Sequence, residues 1–172
     1  MSSHPLRRLG LAAALSLALT FPLAAQAESY KPLIPLLADI PQWEADKADG
    51  MSMKSEGHEV VWATRQYRKG DAEISVILGV GHPMAGQAAA MSQTGKMQYE
   101  AGGSSYEVTT VKGFPVMRIF NKEERSGLMI VALASQSAPA SLIVQFSDLE
   151  PEEGFAIAER FDWAKMQQAL GK

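Results

Sequence analysis

Cysteine is absent from all 172 residues. That excludes disulfides, iron–sulfur clusters, thiolate zinc sites, covalent c-type haem attachment and a cysteine nucleophile together. Histidine is scarce, with three residues at His4, His58 and His82, and no Gly-x-Ser-x-Gly, Ser-x-x-Lys or His-Glu-x-x-His motif accompanies them. An excess of positive charge is also missing. Sixteen Lys and Arg stand against nineteen Asp and Glu, for a formal charge of −3, so the chain lacks the phosphate-neutralising surface that nucleic-acid binding uses and the polybasic patch that holds a protein to anionic lipid.

One long apolar run is present, at the N-terminus. Arg7-Arg8 precedes Leu9 to Ala25, and Ala25-Gln26-Ala27 follows. A basic n-region, an apolar h-region and an Ala-x-Ala site are the three parts of a secretory signal peptide, which predicts residues 1–27 as a leader cut after Ala27. The run is shorter than the ~20 residues that span a bilayer. The Arg7-Arg8 pair leaves both the general and the twin-arginine export routes open. With 27 of 172 residues removed, 145 remain, and the loss of two arginines and no acid takes the formal charge from −3 to −5. Without a cysteine at the cut there is no lipid anchor, so the expected location is periplasmic or secreted, with no membrane attachment after cleavage.

Residues 28–172 read as one α+β domain. Lys31 to Pro41 holds three prolines, too many for a long helix, and lays Leu33, Ile34, Leu36, Leu37 and Trp43 over a core. Asp46 to Glu59 is polar and broken by glycine, with a short edge strand near Met51 to Met53. Six segments alternate as strands: Val60 to Arg68, Ala72 to Val80, Ser105 to Val111, Pro115 to Asn121, Leu128 to Ala134 and Ser141 to Ser147. Met84 to Glu100, rich in Ala, Met and Gln, reads as a central helix ended by Gly102-Gly103. Pro151 opens a C-terminal helical region interrupted near Phe161-Asp162, with Asp162 capping a second helix from Trp163. The expectation is an antiparallel sheet of about six strands, packed on one face by the central helix and the C-terminal helical region.

The element succession from Val60 to Leu170, with the Val111-Lys112-Gly113-Phe114-Pro115 corner leading into a central strand, resembles the small domains of the PsbP/Mog1-like group and related bacterial exported proteins. That resemblance implies a non-catalytic adaptor or accessory domain, and it transfers no functional residue.

Three sets of residues invite functional readings. Gly79-Val80-Gly81 between a strand and a helix looks like a dinucleotide turn, but Met84 occupies the place of the third glycine and no acid ends the next strand. His82, Met84 and Met91 offer imidazole and thioether ligands that suit copper where no cysteine is available, and Met51-x-Met53 with His58 is a similar set; methionine also fills apolar cores. Finally, if Ile74, Val76, Leu142, Val144 and Phe146 face the helices, Gln145 with Glu73 and Ser75 faces the other way. Arg65, Tyr67 and Arg118 are expected to join Gln145 there as a platform for a partner protein or small ligand, the alternative being a solvated face. The sequence thus supports a binding or accessory protein with no catalytic residues and no cofactor. A copper or small-molecule binder comes second and an enzyme without a sequence signature third.

Overall fold

The alternating segments form strands because each puts branched or aromatic side chains on a face that another layer can cover. The computed structural model describes residues 30–55, 58–81, 86, 90, 95–133 and 139–170. In chain order the strands are β1 (Glu44–Ala45), β2 (Asp49–Ser55), β3 (His58–Lys69), β4 (Ala72–Val80), β5 (Met97–Ala101), β6 (Ser104–Val111), β7 (Phe114–Asn121), β8 (Ser126–Leu133) and β9 (Ala140–Ser147). A 3-10 turn covers Lys31–Leu36, and two helices close the chain, α1 (Pro151–Ala158) and α2 (Trp163–Leu170). No helix among the described residues is long and apolar enough to cross a membrane.

All nine strands belong to one antiparallel sheet in the order β1-β3-β4-β9-β8-β7-β6-β5, with β2 also pairing β3. The sheet therefore has three strands more than the six the alternating segments gave, although the short edge strand near Met51 to Met53 is present as β2. β1 is only two residues long and leaves no pattern to read. β5 occupies the end of the segment expected to be helical. Its Ala, Met and Gln favour a helix locally, but pairing with β6 from Met97↔Val108 to Ala101↔Ser104 overrides that preference. Gly102 and Gly103 both have positive φ and form the two-residue turn of a β5–β6 hairpin rather than a helix end. Lys112 and Gly113 do the same for β6–β7. Pro115 is tolerated in β7 because pairing with β8 starts one residue later, at Val116↔Val131. Of the rest of the expected central helix, Gly86 and Ala90 are helical, whereas Met84, Ala88 and Met91 lie outside the described residues.

The larger buried cluster lies on one face of the sheet. Ala63 and Tyr67, Ile74 to Leu78 at alternate positions, Met129, Val131, Leu142, Val144 and Phe146 meet Leu33 and Leu37 from the 3-10 turn and Ile157, Trp163, Met166 and Leu170 from the helices. Pro151 stands in the first turn of α1, and Asp162 Oδ1 accepts the Lys165 N–H at 3.0 Å as the cap of α2. In the proline-rich segment Pro32 stands in the first turn of the 3-10 helix and Pro35 lies inside it. The opposite face carries a second apolar cluster, with Val108, Met117, Ile130, Ala132 and Ile143 buried. It is not the polar platform that alternation along β4 and β9 implies.

Phe146 ties α1 to the sheet. Its ring lies 5.3 Å from the Phe155 ring, edge to face, and 6.2 Å from the Phe120 ring. Glycines make room for it: a Cβ on Gly154 would stand 2.5 Å from the Phe146 ring, and one on Gly127 would stand 2.1 Å from it. Gly154→Ala is expected to lower stability in urea unfolding by about 1–3 kcal/mol through overpacking. In a Phe146→Leu background the clash is relieved, and the same change should become neutral or stabilising by up to ~1 kcal/mol from helix propensity.

Candidate functional site

Registers decide where the expected site residues point. Arg65 is opposite Val76, Tyr67 opposite Ile74, and Arg118 opposite Met129, so all three lie on the face of the large core. Gln145, between Val144 and Phe146 and paired with Ser75 and Leu128, lies on the other face. The four do not form one surface. The reason is that β7 is apolar at both parities, with Val116 and Phe120 on one side and Met117 and Ile119 on the other, so its local pattern does not say which side Arg118 takes.

Arg65 and Tyr67 hold the N-terminal segment to the sheet. The Arg65 guanidinium donates to the Leu37 carbonyl at 2.6 Å, the Asp46 carbonyl at 2.9 Å and the Asp39 carboxylate at 2.5 Å, and it lies 5.4 Å from the Tyr67 ring centroid. Tyr67 is fully buried and donates its hydroxyl to the Ala38 carbonyl at 2.8 Å. Together they fix the exit from the 3-10 turn, Arg65 with charge-assisted bonds and Tyr67 with a neutral one. Gln145 is exposed and lines a shallow hollow of about 400 Å³ with Ile119, Asn121, Ser126 and Leu128.

Arg118 is different. It lies on the floor of an open groove of about 540 Å³ bounded by β5, β6, β7 and α1. Its Nη2 donates to Glu159 at 2.7 Å, its Nη1 approaches Glu107 at 3.4 Å, and the guanidinium lies 5.1 Å from the Phe155 ring centroid. Glu159 caps the C-terminal end of α1 one helical turn after Phe155, so one side of the helix and its cap supply both contacts. Arg118 Nε is buried and has no hydrogen-bond partner. Leaving a charged donor buried without a partner is costly, which is why such atoms mark places where another group belongs. The walls add Gln98, Glu100, Ser105, Lys122 and Glu152. Four carboxylates against two cations make the groove acidic. Lys112 closes one end of α1, donating to the Glu159 carbonyl and lying 5.1 Å from the Trp163 ring centroid.

Sequence reasoning found Arg118 but missed Glu107, Phe155 and Glu159 as its companions. The only trace of them was Phe155 and Glu159 at helical spacing after Pro151. His82, Met84 and Met91, the expected metal ligands, lie outside the described residues. Among the described residues no group of three or more His, Asp or Glu could hold a metal ion, and Met117, Met129 and Met166 are buried core residues.

Burial pushes the Tyr67 hydroxyl up from 10 to about 12, with the neighbouring Arg65 charge and hydrogen bond opposing part of that rise. The folded state then keeps a proton that the unfolded state loses above pH 10. Stability should be unaffected by this group below pH 10 and should fall as pH rises towards 12. Ultraviolet titration of the folded protein should show a phenol ionising near pH 12 that Tyr67→Phe removes.

No family model matches this chain, and neither a curated protein nor a solved structure is significantly similar to it.

Proposed function

We propose that this chain is an exported accessory protein that acts by binding, without chemistry of its own, and that the groove under α1 is its binding site. The observation that carries the reading is Arg118: a guanidinium fixed by Glu107, Glu159 and Phe155 that keeps Nε buried and unsatisfied at the floor of the groove. A carbonyl oxygen supplied by a ligand would satisfy that donor once a rotation of the Arg118 side chain turns Nε, which has almost no accessible surface, towards the groove. The surplus of carboxylates on the walls would favour a ligand that also carries a cation. An extended segment of a partner protein bearing Lys or Arg offers both, since each residue has a main-chain carbonyl. The predicted leader over residues 1–27 supports a partner met in the periplasm or outside the cell. The accessory role also agrees with the resemblance to the PsbP/Mog1-like group.

The full chain, expressed with its leader and used to capture proteins from envelope extract, should bring down a partner that Arg118→Leu loses by about tenfold or more. Glu152→Gln on the exposed wall should weaken the same capture and reduce its dependence on salt. Capture by Arg118→Leu equal to that of the wild type, with far-UV circular dichroism unchanged, would overturn the reading.

A second reading, copper binding, draws on one observation. Met51 and Met53 are two residues apart on one side of β2 and are 47% and 51% exposed, where core filling does not explain them. Thioether pairs with imidazole are ligands for cuprous ion. Copper(I) titration of the wild type, Met51→Leu/Met53→Leu and His58→Ala should show weakened binding in the variants. Equal binding by all three would remove this reading.

A further inference from the structure

β5 ends the sheet, and its outer edge is open among the described residues. Every residue of it is exposed, including the large apolar side chains of Met97 and Tyr99, at 43% and 63%. An open edge carrying apolar side chains is a template for another strand unless something blocks it, and neither a proline, a bulge nor an inward charge does so here.

The hairpin turn fixes which backbone groups are available. Ala101 and Ser104 flank the two-residue Gly102-Gly103 loop, so they form a hydrogen-bonded pair. Alternation then directs the N–H and C=O of Met97, Tyr99 and Ala101 towards β6, and those of Gln98 and Glu100 outward. The next outward position back along the chain is Lys96, which is exposed.

We propose that β5 pairs antiparallel with β5 of a second copy of this chain, with Gln98 opposite Gln98 on the twofold axis. In that register Lys96 of each copy stands opposite Glu100 of the other. The two ion pairs fall at the positions whose backbone groups point outward, so the side-chain match and the main-chain hydrogen bonds occur together. On the other side of the ribbon Met97 of each copy covers Tyr99 of the other. An isologous contact requires this self-complementarity. Slipping the strands by two residues to put Tyr99 opposite Tyr99 keeps the backbone bonds but leaves Lys96 opposite Gly102 and both ion pairs broken. The resulting sheet runs unbroken through both copies, and Gln98 and Glu100, which line the groove of Arg118, lie at its seam. Pairing of the two β5 edges does not depend on what the groove binds.

Two short strands bury less than the ~1,600 Å² of a standard interface, so a dimer with a dissociation constant of about 1 µM to 1 mM is expected. Sedimentation equilibrium of the purified full chain over that range should show a monomer–dimer equilibrium. Lys96→Glu sets carboxylate against carboxylate at both ends, and Glu100→Lys sets ammonium against ammonium. Each variant alone should dimerise about tenfold or more weakly than the wild type. An equimolar mixture of the two should recover a heterodimer, because this register then pairs opposite charges at both ends. A wild type that stays monomeric throughout, single variants that dimerise like the wild type, or a mixture that fails to associate would each overturn the proposal. Both residues are exposed, so unchanged circular dichroism should accompany every variant.

Discussion

The pairing of β4 with β9 is the constraint on which the structure depends. β1 to β4 form one unit and β5 to β9 a meander, and among the described residues no strand other than these two joins them. Eight residue pairs from Glu73↔Ser147 to Val80↔Ala140 hold that seam. Its residues are apolar on both sides: Ile74, Val76, Leu78, Leu142, Val144 and Phe146 serve the larger cluster, while Ile77 and Ile143 serve the smaller. A slip of one residue would exchange the two sets and bring Ser75 and Gln145 into the larger core. Burial on both faces therefore makes the register more strongly specified than in a sheet with one wet side.

Two-sided burial also determines how much of the molecule was legible. Strand existence was, because β4 alternates Glu73, Ser75 against Ile74, Val76 and because turn residues separate every later segment. The C-terminal helices were legible through Pro151 and Asp162, whose roles are local and follow from backbone chemistry alone. β5 was not. Met97-Gln98-Tyr99-Glu100-Ala101 reads as helix until Gly102-Gly103 is recognised as a hairpin turn, and nothing within the segment itself distinguishes the two uses of paired glycine.

The site was half legible for the same reason. Arg118 is conspicuous in the sequence because it interrupts an apolar strand, and Arg65 and Tyr67 because they stand in a strongly alternating one, but the face each takes is set by partners far along the chain. Arg118 between Met117 and Ile119 looks like an outward residue on a strand with one apolar face. β7 has two, and the register with Met129 places Arg118 over the large core instead. Arg65 and Arg118 then diverge through their surroundings. Carbonyls of Leu37 and Asp46 and the carboxylate of Asp39 take up the first, whereas two carboxylates and a ring hold the second with Nε left over.

Why a groove exists at that place follows from dimensions. Each helix has eight residues and is ~12 Å long, while eight strands side by side span ~34 Å at about 4.8 Å spacing. Two such helices and a 3-10 turn cannot roof the whole face. Over β3, β4, β9 and β8 the cover is present and the residues beneath are Ala63, Tyr67, Val76, Val144 and Met129, all buried. Towards β7, β6 and β5 the cover among the described residues runs out, and the same face changes in step to Arg118, Glu107 and Gln98, then to Ser105 and Glu100. The polar residues lie where the roof ends because a buried carboxylate without a partner would cost more than the sheet gains by being covered. α1 reaches the boundary with Phe155 and Glu159, which makes the boundary a groove with one apolar wall, one acidic wall and a guanidinium between them. The shortness of the helix, set by Pro151 at its start and by the chain turning at Phe161-Asp162 towards Trp163, is what leaves the groove open on that side.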